Sequence, residues 1–238
     1  MAYKVVDCYI NGDEISVLGN YSKASEFGFI SDTENMGLFN FKFSKTTGKT
    51  ITNKYIKWEE LVGKLDMNKN GLVKKEGYIF VHNMLSLKDN KVIVVCETFQ
   101  QSPIQTNNMY FLEVSKEFKV SQVFEVTKFR NKFPKTAAHS KEIKKYGLFD
   151  FIDYQNLGDD EFLFFLSDNE KNTRNRNKST LYGIVSYSEG TFKRQTLDLK
   201  TETSSITIYP SKKGYIMLIE DFDAAGKATE MRLEKVNY

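Results

Sequence analysis

The chain has 238 residues, 34 basic and 31 acidic side chains for a net charge of +3, and 14% aromatic residues, with 19 Phe and 13 Tyr. It is long enough to bury a substantial core, and its interleaved charges are not the one-signed footprint of a nucleic-acid binder. No apolar run approaches the ~20 residues of a membrane span, and two cysteines, Cys8 and Cys96, cannot build a disulfide framework.

The start, "MAYKVVDCYI", reads as a strand and lacks the basic and apolar regions of a signal peptide, which suggests a mature form or a piece of a longer precursor. Cys8 and Cys96 are read as two buried free thiols, a single bridge between them being the alternative. From there strand signals dominate. Runs rich in Val, Ile, Phe and Tyr alternate with Asp, Asn, Gly and Lys clusters. Residues 57–65, "KWEELVGKL", are the best helix candidate, because Trp58, Leu61, Val62 and Leu65 fall at i, i+3, i+4 and i+7. A second short candidate covers 135–145.

"DMNKNGLVKKEG", residues 66–77, has the look of a calcium loop, with Asp66, Asn68 and Asn70 at alternate positions and Gly71 at the sixth. The twelfth position is Gly77 instead of a bidentate Glu, Glu76 is one place short, and Lys69, Lys74 and Lys75 oppose a cation. The stretch reads better as a polar turn with Gly71 at a left-handed corner, leaving Asp66, Asn68 and Asn70 as weak metal candidates only. No metal or other cofactor is expected.

One pattern recurs along the chain: a polar turn, an apolar run, then a polar residue. It appears at 12–22, 88–99, 158–169 and 211–222, aligned on Ile15, Val92, Phe162 and Tyr215. A strand precedes the core run and another follows it, and in the first three units a fourth comes next. The fold expected is all-β: repeated four-stranded antiparallel blades, β-propeller-like, with one short helix near 57–65. A twisted sheet cannot hide both faces alone, whereas stacked blades cover one another. A β-sandwich of hairpins is the alternative. The units fall at about 3–58, 77–130, 149–200 and 204–238, with 59–76 as connecting helix and turn, all in one domain. The last unit lacks a fourth strand, which the N-terminal "YKVV" could supply. A small propeller and a piece of a larger one both stay open.

The segments "YIFVHNMLSLKDNKVIVVCETF" and "ITIYPSKKGYIMLIEDFDAAGKATEMRLEKVNY" resemble an uncharacterised family of Bacteroidetes proteins. The residues that carry the resemblance are His82, Asn83, Asp89 and Glu97, then Pro210, Lys212, Gly214, Tyr215 and Glu220. It implies a propeller-like, secreted protein, extracytoplasmic in its native setting and without an established activity.

Few residues suggest chemistry. Five places after each aligned apolar residue stand Asn20, Glu97, Ser167 and Glu220. If those strands line a central channel, the four side chains ring its mouth. Glu97 and Glu220 would then be the weak catalytic candidates of a carbohydrate-active hydrolase, and solvated strand ends are the plainer account. His82 reads as a hydrogen-bonded structural residue, or as a rim residue converging with Asn83 and Glu97. His139 reads as solvated. The basic stretch 169–179 reads as a mobile hairpin tip, and exposed Tyr and Phe as interblade core or a carbohydrate-stacking platform. The function expected is a non-catalytic binding or scaffolding module for an unknown protein or glycan, with Asn20, His82, Asn83 and Ser167 as binding candidates. No nucleic-acid partner is expected.

Overall fold

The computed structural model describes residues 1–24, 30–133, 139–171, 178–197, 205–221 and 229–237. The chain forms two compact units, residues 1–148 and 149–238.

In the first unit, β1 (Ala2–Asn11), β2 (Glu14–Ala24), β3 (Ile30–Ser44) and β4 (Thr50–Lys57) make an antiparallel meander in chain order. A single 3-10 turn, Trp58–Leu61, follows. It buries Trp58 and Leu61, the i and i+3 positions, and leaves Val62 exposed. The helix expected near 57–65 is therefore shorter and tighter than α, because three residues per turn bring Trp58 and Leu61 to one side. Gly71 does occupy a left-handed corner, at φ 72°, and a Cβ there would lie 2.9 Å from Trp58 Nε1.

Next come the short β5 (Leu72–Val73), then β6 (Gly77–Ser86), β7 (Val92–Gln101), β8 (Ile104–Val114) and β9 (Val120–Val126), with β10 (Asn131–Lys132) on the far part of β8. A six-residue helix, α1 (Ser140–Lys145), lies inside the second helix candidate, whose residues 135–138 are outside the described set. The unit's core joins one face of each sheet. Leu18, Leu38, Ile56 and Trp58 pack with Val81, Val94, Cys96, Tyr110 and Leu112.

The second unit holds β11 (Phe151–Gly158), β12 (Glu161–Lys171), β13 (Lys178–Ser188) and β14 (Thr191–Leu197), again a four-stranded meander. A three-stranded sheet follows, of β15 (Ser205–Pro210), β16 (Tyr215–Asp221) and β17 (Thr229–Lys235). Leu163, Phe165, Tyr182 and Ile184 pack with Ile208, Ile216, Leu218 and Val236. Gln155 ties the two sheets together: its Nε2 donates to Tyr215 O at 2.7 Å, and its Oε1 accepts from Gly214 N at 3.2 Å.

Two expectations change with this topology. The apolar runs are β2, β7, β12 and β16, each hydrogen-bonded to a strand on both sides. The run "VIVV" is continuous because both faces of β7 are buried, and as central strands the four runs do not present a sheet edge to a channel. The N-terminal strand is not the missing strand of the last sheet. It is the edge of the first, paired with β2 from Ala2↔Ser22 to Asn11↔Glu14. Among the described residues no helix is long and apolar enough to cross a membrane.

Candidate functional site

Glu97 lies on β7 opposite Phe80 of β6. His82, two residues on from Phe80, shares by strand alternation the face that carries Phe80 and Glu97, and a bulge between Val81 and Asn83 sets Asn83 against Val95 beside it. His82 Nε2 stands 3.2 Å from Glu97 Oε2, and the Phe80 ring meets the imidazole edge-on at 4.9 Å. The other carboxylate oxygen, Oε1, accepts from Lys128 Nζ at 2.9 Å. Lys128 follows β9, and its main-chain N–H is held by Asn108 Oδ1 at 3.1 Å. The side chains of Lys128 and Glu97 are both wholly excluded from solvent.

Electrostatics in this cluster follow from burial and pairing. Burial works to raise the Glu97 pKa, but the Lys128 ammonium and the His82 hydrogen bond outweigh it and hold the carboxyl at about 2. Burial lowers the His82 pKa from its ordinary 6.5, against the pull of Glu97 and with help from the Lys144 and Lys128 charges. At neutral pH the ring is uncharged, and Nε2–H donates to the carboxylate. A carboxylate held ionised and sealed from water neither donates a proton nor meets a substrate. The cluster is a charge clamp inside the sheet.

A second network borders it. Glu76, the acid misplaced for a calcium loop, accepts from Tyr110 Oη at 2.8 Å, Thr98 Oγ1 at 3.1 Å and Asn108 Nδ2 at 2.9 Å. Asn108 also reaches Glu125 at 2.7 Å, so one amide links both networks. Burial first, then the Glu76 hydrogen bond, pushes the Tyr110 hydroxyl pKa up.

The other candidates are placed as follows. Asn83 is half-buried and takes no part in the Glu97 cluster's hydrogen bonds. Asn20 is buried in the first sheet, where its Oδ1 has no hydrogen-bond partner among the described residues. Ser167 donates to Asp150 O at 3.3 Å. Glu220 is buried and pairs with Arg232 of the adjacent strand at 2.9 Å. The four repeat-equivalent residues thus have four different local roles, and Asn20, Glu97 and Glu220 are buried, not solvated strand ends. Asn68 Oδ1 accepts from the main-chain N–H of Asn70 and Leu72 at 2.9 and 3.1 Å, and Asp66 faces Lys74 at 3.6 Å. Asn70 borders a depression of about 340 Å³ with Lys23, Glu34, Met36, Lys57 and Lys69. His139 is exposed just before α1, where its N–H donates to Glu142 at 3.0 Å. Of the stretch 169–179, residues 172–177 lie outside the described set. Both cysteines are free, and Cys8 is exposed, which corrects the expectation that both are buried.

One uncovered feature of the first unit is the outer face of its first sheet. A bulge between Val5 and Asp7 switches the parity of β1, so Tyr3, Val5, Cys8 and Ile10 all share one face. Opposite them stand Tyr21, Gly19, Val17 and Ile15, then Phe39, Phe41 and Phe43, then Tyr55, Asn53 and Ile51. Phe41 packs edge-on against Tyr3 and Tyr55 at 5.3 and 5.6 Å, and the two tyrosine hydroxyls bond each other at 3.0 Å. That bond is the first cause raising the Tyr55 pKa to about 12. Tyr3, Val5, Ile10, Ile51 and Tyr55 are between 41 and 60% exposed.

An all-β chain of successive antiparallel meander sheets is a protein of propeller-like blades. The chain belongs to the family of unknown function DUF6770, whose profile matches residues 3–106 and 100–237. No curated protein matches it in sequence. Among solved structures it is similar to the β-propeller domain of the trilobed protease from Pyrococcus furiosus, at 9% identity and TM-score 0.31, covering 98% of this chain and 68% of that one. It is also similar to a chain of the complex of Drosophila plexin A with semaphorin 1b, at 11% identity and TM-score 0.28. There the alignment covers 99% of this chain, which spans about half (52%) of that chain.

Proposed function

We propose that the chain is a non-catalytic, propeller-like binding or scaffolding module, extracytoplasmic as its family resemblance implies, that engages a protein through the outer face of its first sheet. The observation that carries this reading is the exposed run of Tyr3, Val5, Ile10, Ile51 and Tyr55 on one sheet face. A protein suits the face better than a glycan. Sugar hydroxyls need convergent polar groups, and here the two tyrosine hydroxyls already bond each other amid Val, Ile and Phe.

The hydrolase alternative is weaker, because Glu97 and Glu220 are both buried and both paired to a cation. The experiment compares the full chain with a Val5→Glu/Ile10→Glu variant, reading bis-ANS fluorescence in dilute solution and turnover of a panel of 4-nitrophenyl glycosides. Strong dye fluorescence that the variant loses, with no turnover, is the expected result. Turnover that disappears in Glu97→Gln or Glu220→Gln overturns the reading in favour of the hydrolase.

A further inference from the structure

We infer that the partner on the first sheet's outer face is a second copy of this chain, the two sheets packing face to face about a two-fold axis. The inference rests on the docking-face reading above and adds the identity of the occupant.

Area is the first argument. Four strands ~4.8 Å apart and roughly eight residues long cover about 500 Å² in projection. The relief of side chains such as Ile15, Val17, Phe41 and Phe43 raises the accessible area above that flat projection, toward the ~800 Å² per partner of a standard interface. Charge is the second. The interior of the face carries no ionised group: its residues are Tyr, Val, Cys, Ile, Gly, Phe and Asn, and lysines only flank it, Lys23 and Lys57 at one end and Lys45 and Lys49 in the β3–β4 turn at the other. Two copies can therefore meet without setting like charges opposite one another, and a two-fold contact needs that self-complementarity. Geometry is the third. The bulge at Val5/Asp7 twists the free edge of β1 and blunts it against strand addition, so association is directed to the face.

The same residues supply the test. Cys8 lies in the face and is exposed, whereas Cys96 is fully buried, so maleimide labelling of the native protein reports on this face alone. Sedimentation velocity from about 1 to about 200 µM is the primary measurement, the range a modest interface of this size calls for. The expected result is a monomer–dimer equilibrium abolished by Val5→Glu/Ile10→Glu, with Cys8 labelling slowed roughly tenfold at 100 times the dissociation constant. Circular dichroism establishes that the variant is folded. Two results overturn the second copy as occupant. One is a monomer at every concentration, and the other is open-ended growth instead of a dimer, which indicates stacking of unlike faces. If face-dependent bis-ANS binding persists in a strict monomer, the docking face stands and only its occupant is wrong. If dye binding is indifferent to Val5→Glu/Ile10→Glu, the docking-face reading falls as well.

Discussion

Glu97 and Glu220 occupy repeat-equivalent places in central strands, yet their surroundings differ. Glu97 receives its cation from Lys128, 31 residues on, and both side chains are wholly buried. Glu220 takes Arg232 from the neighbouring strand, and that arginine keeps about a third of its surface in water, at 34% exposed. In the first pair water cannot take the place of a lost partner. In the second, solvent can approach. Equivalence in a repeat therefore fixes neither the partner of a buried acid nor the cost of losing it.

The sharpest way to break this comparison is to remove one cation from each pair. Lys128→Met strands an uncompensated carboxylate in the sheet and should destabilise the first unit by about 3–5 kcal/mol, seen as an earlier urea midpoint. Adding Glu97→Gln should recover much of that loss. A double variant no more stable than Lys128→Met would show that the lysine acts by packing alone.

Acid gives the next largest effect. Glu97, held at about 2 against an ordinary 4.5, contributes stability that is complete above pH 4.5 and is lost as pH falls toward 2. His82 acts in the same direction. Its pKa is lowered in the fold, so its contribution is whole above 6.5 and declines as pH drops below that value. Urea midpoints of the first unit between pH 8 and 2.5 should fall in both windows, on the order of a few kcal/mol in all, and Glu97→Gln should flatten the lower one.

Arg232→Met, by contrast, should cost the second unit only about 1–2 kcal/mol. Hydrogen exchange resolved by unit would separate this loss from effects in the first, and a loss matching that of Lys128→Met would erase the distinction between sealed and open pairs. Smallest is Tyr110→Phe, about 1 kcal/mol, because it removes one of three neutral donors from Glu76. A larger loss would mark Glu76 as a second clamp comparable to Glu97.

Much of the architecture was legible. Apolar runs bounded by Asp, Asn, Gly and Lys foretold the meander strands, since the period-2 pleat and left-handed corners such as Gly71 need those residues. Trp58, Leu61, Val62 and Leu65 suggested a helix over 57–65 where the chain makes a single 3-10 turn, Trp58–Leu61. The site was legible only in part. His82 and Glu97 were singled out together and do meet, but nothing near them in sequence points to Lys128 or Asn108. The role of Glu76 was hidden too, because its partners Thr98, Asn108 and Tyr110 lie 22 to 34 residues away.

The amino-acid sequence by itself determined where strands run and turn, because pleat periodicity and turn chemistry are local. Only the tertiary structure decided which faces are covered and which charges are paired. The bulge at Val5/Asp7 shows why. Simple alternation would place Cys8 and Ile10 on the face opposite Tyr3 and Val5, and one extra residue in the strand brings all four together. Lys128 makes the same point in electrostatics: its charge is cancelled by a residue that only the folded sheet brings within 2.9 Å.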